Sequence, residues 1–248
     1  GSSDYASGVS SNAGGAGAGS ANPSALILDG GVTTGLQQLF NYDFVDQDKV
    51  GAIGHSMGGT FVANAALNFS DRICAIMPWG SGSFVDKMKA SNPAAFTFNV
   101  GYINADSDEM VVFAFHDKTE NLMKDDLLKA FFNTSEDIVP GKVYGSFEKG
   151  TGRVIYTPST THVGNIICKD SIGYMVDFFS QAMPSGSTLA PNNQVWMYKE
   201  AFSVLAIISL TAFAVFAALT IIEKTKFNAI ITEVERPVVK TPVAVKIA

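Results

Sequence analysis

The chain alternates between stretches in which apolar residues recur every three or four positions and short stretches in which they are continuous. The first spacing predicts a helix with one buried face, and the second predicts a buried strand. Helices are predicted around four apolar stripes, which are Val32, Leu36, Leu39 and Phe40; Val62, Ala65, Ala66 and Phe69; Met123, Leu127, Ala130 and Phe131; and Ile172, Met175, Val176 and Phe179.

Strands are predicted between these helices, where short and mostly apolar runs cover residues 49–54, 72–79 and 99–104. Because a helix separates the first run from the second, these two strands are predicted to form a parallel βαβ unit. Residues 142–147 and 153–157 flank a short glycine-containing turn, and we expect them to pair as an antiparallel hairpin. The pattern as a whole is typical of an α/β protein.

Residues 201–222 (AFSVLAIISLTAFAVFAALTII) form a different pattern, because they are almost continuously apolar and contain neither a charge nor a proline. At about 1.5 Å per residue, a helix of about 22 residues covers ~33 Å, which matches the hydrocarbon core of a bilayer. Buried helices of soluble domains are seldom this long without a polar stripe. We therefore expect residues 198–223 to form one transmembrane helix that anchors the protein in a lipid bilayer.

Basic residues are more numerous after this helix than before it. Only Lys199 lies close on the preceding side. The following side carries Lys224, Lys226, Arg236, Lys240 and Lys246. Because flanks rich in Lys and Arg stay in the cytoplasm, we expect the tail at 224–248 to be cytoplasmic and the preceding domain to be extracytoplasmic.

Composition divides the remainder of the chain. Residues 1–24 are mostly Gly, Ser, Ala and Asn, so they offer too little apolar surface to fold and are predicted to be a loop. Residues 25–183 carry the helical and strand patterns and are expected to form the folded domain. Residues 184–197 are a polar linker between that domain and the membrane helix.

Charge, cysteines and glycines exclude several classes of function. The formal net charge is −6 and no cluster of Lys and Arg is present, so nucleic acid is not an expected partner. The two cysteines, Cys74 and Cys168, lack the spacing of a zinc site and are expected to pack in the core. The glycines at 15–19 lie in low-complexity sequence without a following helix pattern, so no cofactor is expected. The sequence also shows no constellation of metal ligands, so no metal is expected.

The most informative motif is GHSMGG at residues 54–59, a G-x-S-x-G pattern between a predicted strand and a predicted helix. In this context the glycines allow a tight turn that exposes the serine hydroxyl above the sheet edge. Ser56 is therefore the candidate nucleophile. The N-terminus of the helix favours a developing negative charge, and the Met57 N–H is the candidate oxyanion-hole donor.

A serine nucleophile needs a base, and the chain contains three histidines. His55 adjoins the serine, so its side chain is expected to point away from the Ser56 hydroxyl and to be structural. His116 follows an apolar run without a turn and is expected on the surface or in a lid. His162 follows a strand-like run and a small polar turn, which favours it as the base.

The third catalytic group is expected to be a carboxylate between the serine and the histidine in chain order. The acidic turn at 105–109 offers Asp106 and Asp108, and one of them could instead cap a helix. We favour Asp108, because Asp106 is closer to the end of the predicted strand. Glu109 and Asp137 are further alternatives.

The motif at 54–59, the turn at 105–109 and Thr160-Thr161-His162 together resemble the α/β-hydrolase superfamily, in an esterase-like or dienelactone-hydrolase-like form. The resemblance covers roughly residues 1–183. It implies a mostly parallel sheet flanked by helices, with Ser56 as nucleophile, Asp108 as acid and His162 as base.

Two departures from that family alter the expectation. Family members have several strands before the serine, including one whose loop supplies a second oxyanion donor, whereas about half of the residues before Ser56 are of low complexity. We therefore expect the chain to be an N-terminally truncated fragment of the fold. The interval from Asp108 to His162 is also long, so residues 120–152 are expected to form an inserted helix and hairpin that act as a lid.

The sequence thus predicts a membrane-tethered serine hydrolase that cleaves a small acyl substrate, such as an ester, through an acyl-enzyme intermediate. The alternative from another class is a hydrolase-like domain that binds a ligand or a partner without turnover. The intact set of serine, acid and histidine favours the hydrolase. The apolar residues Trp79, Phe84, Phe96 and Phe98 are expected in the core rather than in a substrate pocket.

Overall fold

The computed structural model describes residues 29–110, 118–186 and 189–230. The described residues up to Asn193 belong to one compact unit, and those from Gln194 belong to a second. The first unit contains a sheet with helices on both faces, and the second contains one long helix. The predicted loop at 1–24, His116 and most of the basic tail lie outside the described residues.

Four strands form the sheet of the first unit, in the spatial order β1-β2-β3-β4, and every neighbouring pair is parallel. The strands are β1 (Gly51–His55), β2 (Ala75–Trp79), β3 (Asn99–Ile103) and β4 (Arg153–Tyr156). In the register, His55 lies beside Trp79, Trp79 beside Ile103, and Ile103 beside Tyr156. All four strands therefore end in line, and the loops that follow them lie along one edge of the sheet.

The helices described in the first unit are α1 (Val32–Leu39), α2 (Met57–Asn68), α3 (Gly82–Ala90), α4 (Thr119–Leu122), α5 (Asp126–Phe131) and α6 (Lys169–Ala182). Strand side chains alternate between two apolar layers. Ile76 and Val100 pack in the layer that includes α2 and α3. Met77 and Ile103 pack with Phe178 of α6 in the other layer. The parallel sheet with flanking helices confirms the predicted α/β architecture, and β2, β3 and β4 are buried throughout. The first strand was also predicted to be buried, but β1 lies at the end of the described sheet and its Ile53 is 42% exposed.

The predicted hairpin is wrong. Its first half forms no strand and contributes a single antiparallel bridge between Tyr144 and Arg153. Its second half is β4, which pairs with β3 in parallel. The physical reason is burial: all four residues of β4 are buried, so this run suits a sheet covered on both faces. The Arg153 guanidinium donates to the carbonyls of Phe96 and Phe98, at 2.7 and 2.8 Å, and burial lowers its pKa to about 10.

The segment at 120–152, which the sequence predicts to be an inserted lid, packs its apolar side chains into the main core. The predicted stripe breaks between α4 and α5, where the Asp125 carboxylate accepts a hydrogen bond from Leu128 N–H and starts a new helix. Leu128 and Phe131 are buried, whereas Leu127 is 59% exposed. The Phe131 ring packs edge-on against Phe96 in that core.

Two smaller predictions, on the buried face of α6 and on the cysteines, also differ from the structure. In α6, Ile172, Met175 and Phe179 of the predicted stripe pack against the core beside the fully buried Phe178. Only Val176 of that stripe is exposed. Cys74 and Cys168 are free thiols and are only partly buried. The large apolar residues expected in the core are buried there, namely Trp79, Phe84, Phe96 and Phe98.

The second unit is dominated by α7 (Trp196–Lys224), a helix of 29 residues whose most apolar window has a mean hydropathy of 2.6. None of its residues is buried in the structure. The hydroxyls of Ser203, Thr211 and Thr220 donate to the carbonyl four residues earlier, so each is satisfied within the helix. The helix is long and apolar enough to cross a membrane, as the sequence pattern predicts.

Candidate active site

Ser56 is the single residue that joins the end of β1 to the start of α2. Its backbone has φ 56° and ψ −123°, a positive φ that residues with a side chain rarely adopt. Two hydrogen bonds hold the turn: Ser56 N–H donates to the Trp79 carbonyl at 2.7 Å, and Gly59 N–H donates to the Ser56 carbonyl at 3.0 Å. The sheet and the helix thus impose the strained conformation on the serine.

Close packing across the turn explains two of its three glycines. A Cβ on Gly54 would collide with the backbone of Gly58 and would lie 2.8 Å from the Gly59 nitrogen. A Cβ on Gly59 would lie 2.8 Å from the Ser81 Cβ. A Cβ on Gly58 would meet no atom within 4 Å. The turn therefore requires glycine at positions 54 and 59, while position 58 has space for a side chain.

Asp108 and His162 form a buried pair. The His162 Nδ1 lies 3.0 Å from Asp108 Oδ1 and 3.1 Å from Oδ2. Asp108 is fully buried, and it also accepts a hydrogen bond from the Met110 N–H at 3.0 Å. With the proton held at Nδ1 by the carboxylate, the His162 Nε2 has a free lone pair and can accept a proton.

Ser56, Asp108 and His162 all follow the aligned strand ends, after β1, β3 and β4 respectively. Gly80, the residue after β2, lies against the pair of Asp108 and His162. A Cβ at this position would lie 2.9 Å from both Asp108 Oδ2 and His162 Nδ1. Gly80 directly follows Trp79, whose carbonyl binds Ser56 N–H. Within the described residues, no hydrogen bond joins the Ser56 hydroxyl to the His162 ring. Such bonds are often long before a substrate binds.

The Met57 N–H is the candidate donor to a developing oxyanion. Met57 is the first residue of α2, and an N–H at that position has no acceptor within its own helix. The positive end of the helix dipole adds to the attraction for an anion. Met57 as a whole is 68% exposed.

The two other candidate aspartates lie elsewhere. Asp106 is exposed and lines a separate cavity of about 640 Å³ with Thr119 and Ile138. Asp137 lies 3.8 Å from the Lys129 amine. Of the two aspartates favoured by the sequence, only Asp108 bonds to His162 among the residues described.

Two residues near the pair have roles that the sequence did not reveal. Glu109 accepts a hydrogen bond from the backbone N–H of His162 at 2.9 Å, and this bond lowers the pKa of its carboxyl. His55 donates from Nε2 to the His162 carbonyl at 2.9 Å, and its ring centre lies 4.5 Å from that of His162. Burial lowers the pKa of His55, which favours its neutral form. Only their positions beside Ser56 and Asp108 could have drawn attention to them.

Comparisons with known proteins add no further identification: no family model matches the chain, and no curated protein matches it.

We predict that Gly54→Ala lowers the free energy of unfolding of the first unit by about 1–3 kcal/mol, because the added methyl overlaps the backbone of Gly58. The matched control is Gly58→Ala, which should leave stability unchanged or raise it, since Ala is the better helix former. Denaturant unfolding of the detergent-solubilised chain measures both. An equal loss of stability in the two variants would contradict the steric explanation.

Proposed function

We propose that this protein is a serine hydrolase of the α/β-hydrolase type that cleaves an ester or a related acyl compound. The observation that carries the proposal is the buried pair of Asp108 and His162, bonded at 3.0 Å on the same sheet edge as Ser56. The strained backbone of Ser56, between a strand and a helix, supports its role as the nucleophile.

The order of these residues along the sheet supports the α/β-hydrolase type in particular. The nucleophile, the acid and the base follow β1, β3 and β4 in chain order, as in the superfamily that the sequence resembles. Parallel strands with helices on both faces are the architecture in which such loops converge at one edge.

In the proposed reaction, the His162 Nε2 takes the proton of the Ser56 hydroxyl as Oγ attacks the acyl carbon. The Met57 N–H donates to the oxygen that becomes negative in the tetrahedral intermediate. The intermediate collapses when the bond to the leaving alcohol breaks, and His162 returns the proton to that alcohol. Water, deprotonated by the same histidine, then attacks the acyl carbon of the acyl-enzyme. The bond to Ser56 Oγ breaks, the acid leaves, and His162 returns the proton to Oγ, while Asp108 stabilises the imidazolium at each stage.

We further propose that α7 spans a lipid bilayer and tethers the hydrolase to it. Its length and uncharged interior support this, as does the absence of buried residues along the described helix. The excess of basic residues from Lys224 onward supports a cytoplasmic tail and an extracytoplasmic hydrolase unit.

The first test is covalent labelling of the full chain, in membranes, by a fluorophosphonate probe. We expect the wild type to be labelled and Ser56→Ala to be unlabelled, because only an activated serine attacks the probe. The control is Ser203→Ala, which alters a hydroxyl of α7 and should label normally. Labelling that persists in Ser56→Ala would exclude Ser56 as the nucleophile. A wild type that is folded but unlabelled would favour a domain that binds without turnover.

The second test separates the two aspartates. We expect Asp108→Asn to lower kcat for p-nitrophenyl acetate by about 10³–10⁴-fold, because the amide stabilises the wrong tautomer of His162. Asp106→Asn is the matched control and should retain most of the activity, since Asp106 is exposed and does not contact the histidine. The acid assignment fails if Asp106→Asn is the inactive variant.

The third test addresses the membrane. We expect the full chain to stay in the membrane fraction during an alkaline carbonate wash and to be released by detergent, because an uncharged helix of this length remains in hydrocarbon. A variant that ends at residue 193 should be released by carbonate. Release of the full chain by carbonate alone would show that α7 does not span the bilayer.

A further inference from the structure

The main chain of His162 is held on both sides by side chains from the end of β1 and from the turn after β3. Its N–H donates to the Glu109 carboxylate at 2.9 Å, and its carbonyl accepts from the His55 Nε2, also at 2.9 Å. The His55 ring also packs against the His162 ring, with 4.5 Å between their centres and 42° between their planes. We call Glu109 and His55 together the His162 clamp.

We propose that His55 and Glu109 are positioning residues that fix the His162 main chain, and thereby place its ring between Asp108 and Ser56. This inference rests on the proposed hydrolase function and deepens it. Neither residue is assigned a chemical step: each acts through the histidine.

The position of His162 in the chain explains why a clamp is needed. Strand β4 ends at Tyr156, and His162 lies beyond it, immediately before a 3₁₀ turn at Val163–Ile167. No sheet ladder reaches the histidine; the nearest sheet-like contact is the bridge between Ser107 and Thr161. The hydrogen bond to Asp108 fixes the His162 ring only at its Nδ1 side. The location of the opposite nitrogen, Nε2, therefore also depends on where the backbone is held.

Each member of the clamp adjoins a different catalytic residue. His55 is the last residue of β1 and precedes Ser56, while Glu109 follows Asp108. The two hydrogen bonds thus tie the loop of the base to the turn of the nucleophile and to the turn of the acid. A shift of any one of these three loops stretches at least one bond of the clamp, so their relative positions are coupled.

The charges of the clamp suit a histidine that becomes a cation during the reaction. Glu109 is an exposed carboxylate whose pKa is lowered by the His162 N–H, so it is ionised at neutral pH. Burial lowers the pKa of His55, which favours its neutral form beside the imidazolium. The Glu109 carboxylate thus attracts the charged His162 ring, and the neutral His55 ring does not repel it.

The test compares substitutions that remove each bond with substitutions that keep it, using the full chain in detergent micelles and p-nitrophenyl acetate. Glu109→Ala removes the acceptor, and His55→Phe keeps a ring but removes the donor. Each should lower kcat by about 10–100-fold with little change in KM, because a shift of about 1 Å in a reacting group costs that much. Glu109→Gln and His55→Gln should recover most of the loss, since the Gln amide can accept or donate the same bond.

A second readout is independent of catalysis. Hydrogen exchange of the His162 amide should be faster in Glu109→Ala than in the wild type and should be restored in Glu109→Gln. The control is Asp71→Ala, which removes an exposed carboxylate before β2, at the opposite edge of the sheet. It should change neither kcat nor the exchange of this amide.

The outcomes separate the clamp from the function on which it rests. A wild type without Ser56-dependent turnover would refute the proposed hydrolase, and the positioning role would fail with it. Normal wild-type turnover, with the same kcat in Glu109→Ala and His55→Phe as in the wild type, would refute the clamp alone. Equal losses in the Ala, Phe and Gln variants would also refute it, because the effect would then not depend on the two hydrogen bonds.

Discussion

The alignment of four parallel strand ends is the constraint on which the rest of this structure depends. His55, Trp79, Ile103 and Tyr156 are neighbours across the sheet, so the loops that follow them lie side by side. Parallel hydrogen bonding fixes this register along the whole ladder, and the burial of β2, β3 and β4 opposes a slip. Residues far apart in the chain therefore meet at one edge without any additional element to bring them together.

Polar groups at that edge are stabilised by one another rather than by solvent. Asp108 is fully buried, and a buried carboxylate is costly unless it is paired and hydrogen-bonded. Its oxygens meet the His162 ring and the Met110 N–H. Gly80 borders the same pair with no side chain, which leaves the space that the histidine ring occupies.

The sequence predicted most of the elements and missed those decided by packing. The runs at 49–54, 72–79 and 99–104 became β1, β2 and β3. Burial on both faces suits the apolar residues of β2 and β3, whereas β1 lies at the end of the described sheet and is partly exposed. The run at 153–157 follows the same rule, because it forms β4 of the parallel sheet. Its nearness to residues 142–147 led instead to the wrong prediction of a hairpin. Apolar spacing alone also did not reveal that Asp125 caps a new helix and that Leu128, not Leu127, faces the core.

The sequence by itself determined the features that depend on neighbours in the chain: the glycine-flanked Ser56, the helix that begins after it and the uncharged length of α7. It also identified Asp108 and His162 as candidates, by residue type and chain order. Only the tertiary structure decided which side chains meet. His55 and His162 are separated by 107 positions in the chain, and their contact exists because strand register brings two loop ends together. Local sequence carries no information on that register, since it follows from the packing of the whole sheet.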